Sequence, residues 1–157
     1  NMLGGRSLIE LRGCIAEAEI EICGGISPRC MPMADIRELG SLLQRAGFAL
    51  PVADAELLTV TYPDMFRLMA DIKAMGGQNC LFGRISHFTP RAVFMRAAAL
   101  YKQKFSHSGG HIKATVELIT LTGWAPDTSQ PQPLRPGSAA NRLAEALGTT
   151  ETPLKGG

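Results

Sequence analysis

The sequence predicts an α/β fold, and three observations carry that prediction. Between residues 35 and 62 a helical pattern stops at a glycine and gives way to strand-like alternation. A second strand pattern, apolar on both sides, spans residues 112–122. Apolar stripes at helical spacing fill most of the chain before and between these strands. Helix, glycine and strand in succession form the αβ unit of a layered protein.

From the N-terminus, Leu3-Gly4-Gly5 reads as the tail of a strand and the turn that leaves it. Ser7 and Glu10 have capping-box spacing at the start of a helix over residues 7–23. Leu8, Leu11, Ile15, Ala18 and Ile22 give this helix one apolar stripe. Glu17, Glu19 and Glu21 fall on its wetter sides, either as a solvated face or as a paired acid/base site. Gly24-Gly25 ends it, and Pro28 and Pro32 make the next stretch a loop. Arg29 in that loop has two readings. It is an exposed loop arginine, or its planar fork anchors a carboxylate.

Asp35 can cap the second helix, with Glu38 three residues on. Ile36, Leu39, Leu43 and Ala46 form its stripe, and Gly47 sits where a left-handed glycine ends a helix. Residues 56–62 alternate as a strand. Pro63 suits the first turn of a third helix, whose stripe is Met65, Leu68, Met69, Ile72 and Met75 before Gly76-Gly77. Thr89 and Pro90 suit the cap and first position of a fourth helix, with Val93, Ala97, Leu100 and Tyr101 facing inward. From Asp127 on, prolines 131, 133 and 136 exclude regular structure nearby, and residues 138–147 have the pattern of a short helix.

The chain has 157 residues, enough for one domain, and a net charge of +2. That charge is too small to argue for nucleic acid or a membrane surface. No apolar run approaches the roughly 20 residues of a spanning helix. With no basic, apolar leader pattern at the start, the expected location is cytoplasmic. Cys14, Cys23, Cys30 and Cys80 contain no CxxC pair and are expected to be free, buried thiols. His107 and His111 flank Gly109-Gly110, which fits a polar turn better than a metal pair. No nucleophile triad, phosphate loop or metal spacing stands out.

Several motifs resemble a known family. They are GG-x-SLIELR at 4–12, GGISPR at 24–29, LGSLLQRAGF at 39–48, YPDMFRLMADIKAMGGQN at 62–79 and TGWAP at 122–126. In this order they resemble SAM-dependent methyltransferases of the biotin-synthesis type. The likeness is greater to their branch of methyltransferase-like assembly factors of respiratory complex I, whose mitochondrial member is described as an arginine hydroxylase. The resemblance implies the C-terminal portion of a class I methyltransferase sheet with three to four helices. In that scheme residues 56–62 are the sixth strand and 112–122 the seventh. The seventh is antiparallel to the sixth and inserts beside the fifth, which would end at Leu3. It also implies a methyltransferase-like part over residues 3–126, while the proline density after it marks 127–157 as a flexible proline-rich tail.

The family's SAM-binding devices, a glycine-rich turn and an acidic residue, lie upstream of the point where this resemblance starts. The sequence contains no GxGxG. The expectation is therefore a substrate-side fragment, inactive alone, whose full-length parent uses S-adenosylmethionine. Its partner would be a small acid or acyl substrate, or, on the second branch, a complex I subunit. Substrate-pocket candidates are Gly4, Gly5, Glu10 and Arg12, then Ser27, Pro28 and Arg29, then Tyr62 and Asn79. Glu10 keeps two roles open, helix cap and catalytic carboxylate. The seventh-strand edge left bare by a missing fifth strand should be covered by self-association, by strand exchange, or by the chain's own N-terminal residues.

Overall fold

The computed structural model describes residues 1–129 and 147–149. The expected 138–147 helix lies, apart from Leu147, outside the described residues. The chain divides into two compact units, Asn1–Ala125 and Pro126–Gly157, and the architecture below belongs to the first.

Its elements run β1 (Met2–Leu3), α1 (Ile9–Cys23), α2 (Ile36–Arg45), β2 (Ala49–Tyr62), α3 (Met65–Ala74), α4 (Arg91–Lys104) and β3 (Ile112–Trp124), with a short 3-10 turn at Ser108–Gly110 before the last strand. The three strands form one antiparallel sheet in the order β1-β3-β2. The two long strands pair as expected despite the helices between them, with Leu58 opposite Val116 and Tyr62 opposite Ile112.

The strands are longer than the alternation suggested. β2 starts at Ala49 rather than near Glu56, because β3 continues to Trp124 and supplies a partner for the extra residues. Pro51, which cannot donate to a ladder, is accommodated where the register shifts between Ala49 and Val52. Leu50 there has φ 48°.

The central strand is covered on both faces, at different ends. Ile112 and Ala114 join a core with Leu11, Cys14 and Ala18 of α1, Met65 and Leu68 of α3, and Val93, Ala97, Leu100 and Tyr101 of α4. On the opposite face Ile119 is fully buried, and α2 packs over the neighbouring part of β2, its Gly40 beside Ala53. The expected bare edge of β3 is closed by the chain's own N-terminus. Met2 and Leu3 pair with Ile119 and Leu118, the Gly4 N–H donates to the Glu117 carbonyl at 2.9 Å, and the Leu8 N–H donates to the Thr115 carbonyl at 2.7 Å.

Helix α2 follows its sequence signals. The Arg37 N–H donates to Asp35 Oδ1 at 2.8 Å, and Gly47 at φ 80° lets the Phe48 N–H return to the Leu43 carbonyl. Other caps fall elsewhere. The Ser7–Glu10 capping box does not form: Leu8 stands at the cap with φ 53°, and both polar side chains turn to β3 instead. Asp64, not Pro63, opens α3, accepting from the Arg67 N–H at 2.9 Å. Thr89 does not cap α4, because its hydroxyl accepts from Arg29.

Of the four cysteines, all free, only Cys14 is buried; Cys23, Cys30 and Cys80 are exposed, since they lie at a helix end and in loops. Burial pushes the Cys14 thiol up to about 11, so it behaves as a small core hydrophobe. Among the described residues no helix is long and apolar enough to cross a membrane, and no group of three potential metal ligands comes together.

Candidate functional site

Helix α1 carries Leu11, Arg12 and Ile15 at helical spacing on one face, with Leu8 at its cap beside them. Helix α3 presents Phe66, Met69, Ala70 and Lys73 at the same spacing. Between the two faces lies a cleft of about 450 Å³, closed on its remaining sides by Arg29 and Cys30, residues 77–79 and Phe94. A smaller recess of about 270 Å³ adjoins it under residues 26–30 and shares Leu11, Arg12, Ile15, Arg29 and Cys30.

Arg12 is the unusual group in this cleft. One guanidinium nitrogen, Nη2, donates to the Gly5 carbonyl. Its Nε is buried and has no hydrogen-bond partner. Buried donors are nearly always satisfied, and leaving one unmet costs about 1–3 kcal/mol.

Arg29 is also turned inward, but it is fully engaged. Its Nε and Nη2 donate to Glu19 Oε1 at 3.0 and 2.5 Å, and Nη2 also donates to Thr89 Oγ1 at 2.8 Å. Its guanidinium carbon lies 5.8 Å from the centroid of the Phe94 ring. The Glu19 carboxylate accepts in addition from the Ser27 N–H and hydroxyl at 3.1 and 2.9 Å. Burial pushes the Glu19 carboxyl up, but the hydrogen bonds from Arg29 and Ser27 outweigh it and hold the group below the usual carboxylate range. Asn79 completes this fastening, its Nδ2 donating to the Pro28 carbonyl at 2.8 Å. The loop is thus tied to α1, to the start of α4 and to the segment after α3.

The expected solvated carboxylate face on α1 is therefore corrected. Glu19 is buried against Arg29, while Glu17 and Glu21, both partly exposed, pair with Lys104 and Arg96 of α4.

The structure thus separates the sequence-chosen residues. Arg12, Arg29 and Asn79 line the larger cleft, and Ser27 and Pro28 line the adjoining recess. Gly5 acts through its carbonyl on Arg12. Gly4 lies at the strand edge, where an added Cβ would sit 2.3 Å from Glu117 Oε2. Glu10 is buried and faces β3, accepting from the Thr115 N–H at 3.1 Å and from the Thr115 hydroxyl. Tyr62 packs against the helical core at the end of β2. Neither Glu10 nor Tyr62 lines the cleft. Sequence reasoning passed over Lys73, Phe66 and Met69 as cleft residues. Their i, i+3, i+7 spacing was the available signal, but it competed with the stronger Met65–Leu68 core stripe.

Electrostatically the larger cleft is one-sided. Its charged lining residues are Arg12, Arg29 and Lys73, and no carboxylate lines it. Among the described residues Arg12 and Lys73 have no ion pair. The residues present do not fit S-adenosylmethionine. A sulfonium cation gains nothing beside Arg12 and Lys73, and no acid is among the cleft's lining residues to take ribose hydroxyls.

Known proteins are similar to this chain in sequence. The chain is 37% identical over 151 residues to "Arginine-hydroxylase NDUFAF5, mitochondrial" of Dictyostelium discoideum, covering 96% of the chain and 34% of that protein. It is 38% identical over 144 residues to the human protein of the same name, covering 92% of the chain and 41% of the relative. Against the malonyl-[acyl-carrier protein] O-methyltransferase of Xylella fastidiosa (strain M23) it is 33% identical over 131 residues, covering 83% and 42%. This chain is homologous to both groups of methyltransferase-like proteins. It spans between 30% and 45% of the length of the curated relatives it matches. No family model matches it.

Proposed function

We propose that this chain is the substrate-side part of a methyltransferase-like protein, and that its cleft holds the carboxylate of a small acid or acyl substrate. On this reading β1, β3 and β2 correspond to the fifth, seventh and sixth strands of the family sheet. The S-adenosylmethionine site belongs to a part of the parent that these residues do not supply, so the chain alone is inactive. The observation that carries the reading is a cleft whose charged lining residues are Arg12, Arg29 and Lys73, with no carboxylate among its lining and no ion pair to Arg12 or Lys73 among the described residues.

In this arrangement Arg12 binds and orients. Gly5 holds one nitrogen of its fork, and the guanidinium supplies positive charge at the cleft wall, where a carboxylate would sit. Lys73 adds a second positive charge across the cleft. Leu11, Ile15, Phe66 and Met69 exclude water from the rest of the substrate. Methyl transfer asks mainly for such placement.

A second reading follows from the greater identity to the relatives named arginine-hydroxylase: the parent modifies a protein arginine and serves complex I assembly. The cleft lining disfavours a guanidinium as its occupant. Calorimetric titration with a malonyl thioester and with an arginine-bearing peptide separates the two. The proposal expects the thioester to bind and Arg12→Gln to weaken it at least about tenfold, as for one charged hydrogen bond. Tighter binding of the arginine peptide, or thioester binding indifferent to Arg12→Gln, overturns it.

A further inference from the structure

Between Asp71 and Glu117 the sequence has no Asp or Glu and carries Lys73, Arg84, Arg91, Arg96, Lys102, Lys104 and Lys113. Arg96 and Lys104 are neutralised by Glu21 and Glu17 of α1. Lys73, Arg84 and Arg91 have no ion pair among the described residues. The nearest carboxylates in sequence are committed: Asp64 caps α3 and Asp71 pairs with Arg67.

Beside this acid-free stretch the surface is apolar. Phe66 and Met95 are about half exposed, and Phe82 and Phe88 in the loop before α4 are fully exposed. Phe66, Met69, Phe94 and Met95 wall a groove of about 660 Å³ between α3 and α4, with Thr89 and Arg91 at its rim. Methionine and phenylalanine walls adapt to bulky side chains, and a groove between two helices is a common seat for an amphipathic helix.

We propose that this groove docks an acidic, helix-forming segment of a partner protein. Its apolar anchors sit against Phe66, Phe94 and Met95. Its carboxylates meet Arg91, and also Lys73 in the cleft that shares Phe66, Met69 and Phe94 with the groove. Charge complementarity selects this occupant. A second copy of the chain would bring the same acid-free, cationic surface against itself. A nucleic acid needs a stripe of cations along its backbone, whereas one arginine and four apolar side chains dominate the groove.

The experiment is fluorescence anisotropy on the whole chain. The probe is a labelled helical peptide of about 18 residues, with leucine at i, i+3, i+4 and i+7 and glutamate elsewhere. The same peptide with lysine for glutamate, and a single-stranded RNA, serve as competitors, with sedimentation run in parallel. The glutamate peptide should bind, and the lysine peptide at least tenfold more weakly. Arg91→Glu and Met95→Asp, both at exposed positions, should each weaken binding at least tenfold with unchanged circular dichroism. Met95→Asp, which lies outside the cleft, should leave its affinity for a malonyl thioester unchanged, which separates this proposal from the carboxylate reading of the cleft. It is overturned by absent binding, by equal binding of the two peptides, by RNA displacing the glutamate peptide at lower concentration, or by a dimer that Arg91→Glu abolishes.

Discussion

Glu10 and Arg12 stand two residues apart on α1 and serve opposite sides of it. Glu10 faces the seam where the chain's N-terminal strand meets β3. There every polar group has a partner: Thr115 gives Glu10 its N–H and hydroxyl, Ser7 exchanges hydrogen bonds with the Glu117 backbone, and the Arg6 N–H donates to the Glu117 side chain. Arg12 faces the cleft, where a buried donor is left over. The difference separates two uses of a buried charge. A saturated polar cluster holds the fold together, and a cationic side chain lining a cleft without a carboxylate favours an anionic ligand.

The largest effect expected is on the loop fastening, which belongs with the saturated class. Glu19→Ala leaves Arg29 and Ser27 without their shared acceptor and should lower stability by about 3 kcal/mol in urea unfolding, the scale of breaking an inward-facing ion pair. The same contact sets a pH dependence. The Glu19 carboxyl is held below its ordinary 4.5 in the fold, so its contribution is present above that value. It is lost as pH falls through the lowered folded pKa. Protection of the Ser27 amide relative to its intrinsic exchange rate should therefore hold down to about pH 4.5 and fall below it; protection already lost near pH 6 would break the assignment. Glu10→Ala is expected to cost about 2 kcal/mol by stranding the Thr115 N–H, with no change in the cleft's affinity for a carboxylate. A loss of that affinity would return Glu10 to the site.

Much of this architecture was legible in the residues. The αβ unit at residues 35–62 and the antiparallel partnering of two strands distant in sequence followed from pattern or resemblance. The misses have one physical cause. Ser7, Glu10 and Thr89 have the residue types and spacing of helix caps, and local sequence does not reveal that a strand or an arginine from far along the chain competes for them. Ser7 and Glu10 serve β3 more than 100 residues away, and Thr89 takes a hydrogen bond from Arg29, 60 residues away. The acidic run on α1 misled in the same way, since Glu19 looks solvent-facing until the loop with Ser27 and Arg29 folds over it.

A smaller effect sharpens the comparison from the core side. Cys14, with its thiol at about 11, should resist a maleimide in the native chain while Cys23, Cys30 and Cys80 react. Labelling of Cys14 at a comparable rate would mean that the α1–α4 core opens readily.

The most direct measurement pairs unfolding and titration of one variant. For Arg12→Gln, stability should change by no more than about 1 kcal/mol, because one carbonyl hydrogen bond is lost and one stranded donor is removed. Its affinity for a malonyl thioester should fall at least tenfold. Destabilisation as large as that of Glu10→Ala, with thioester affinity intact, would make Arg12 a part of the scaffold and contradict the account.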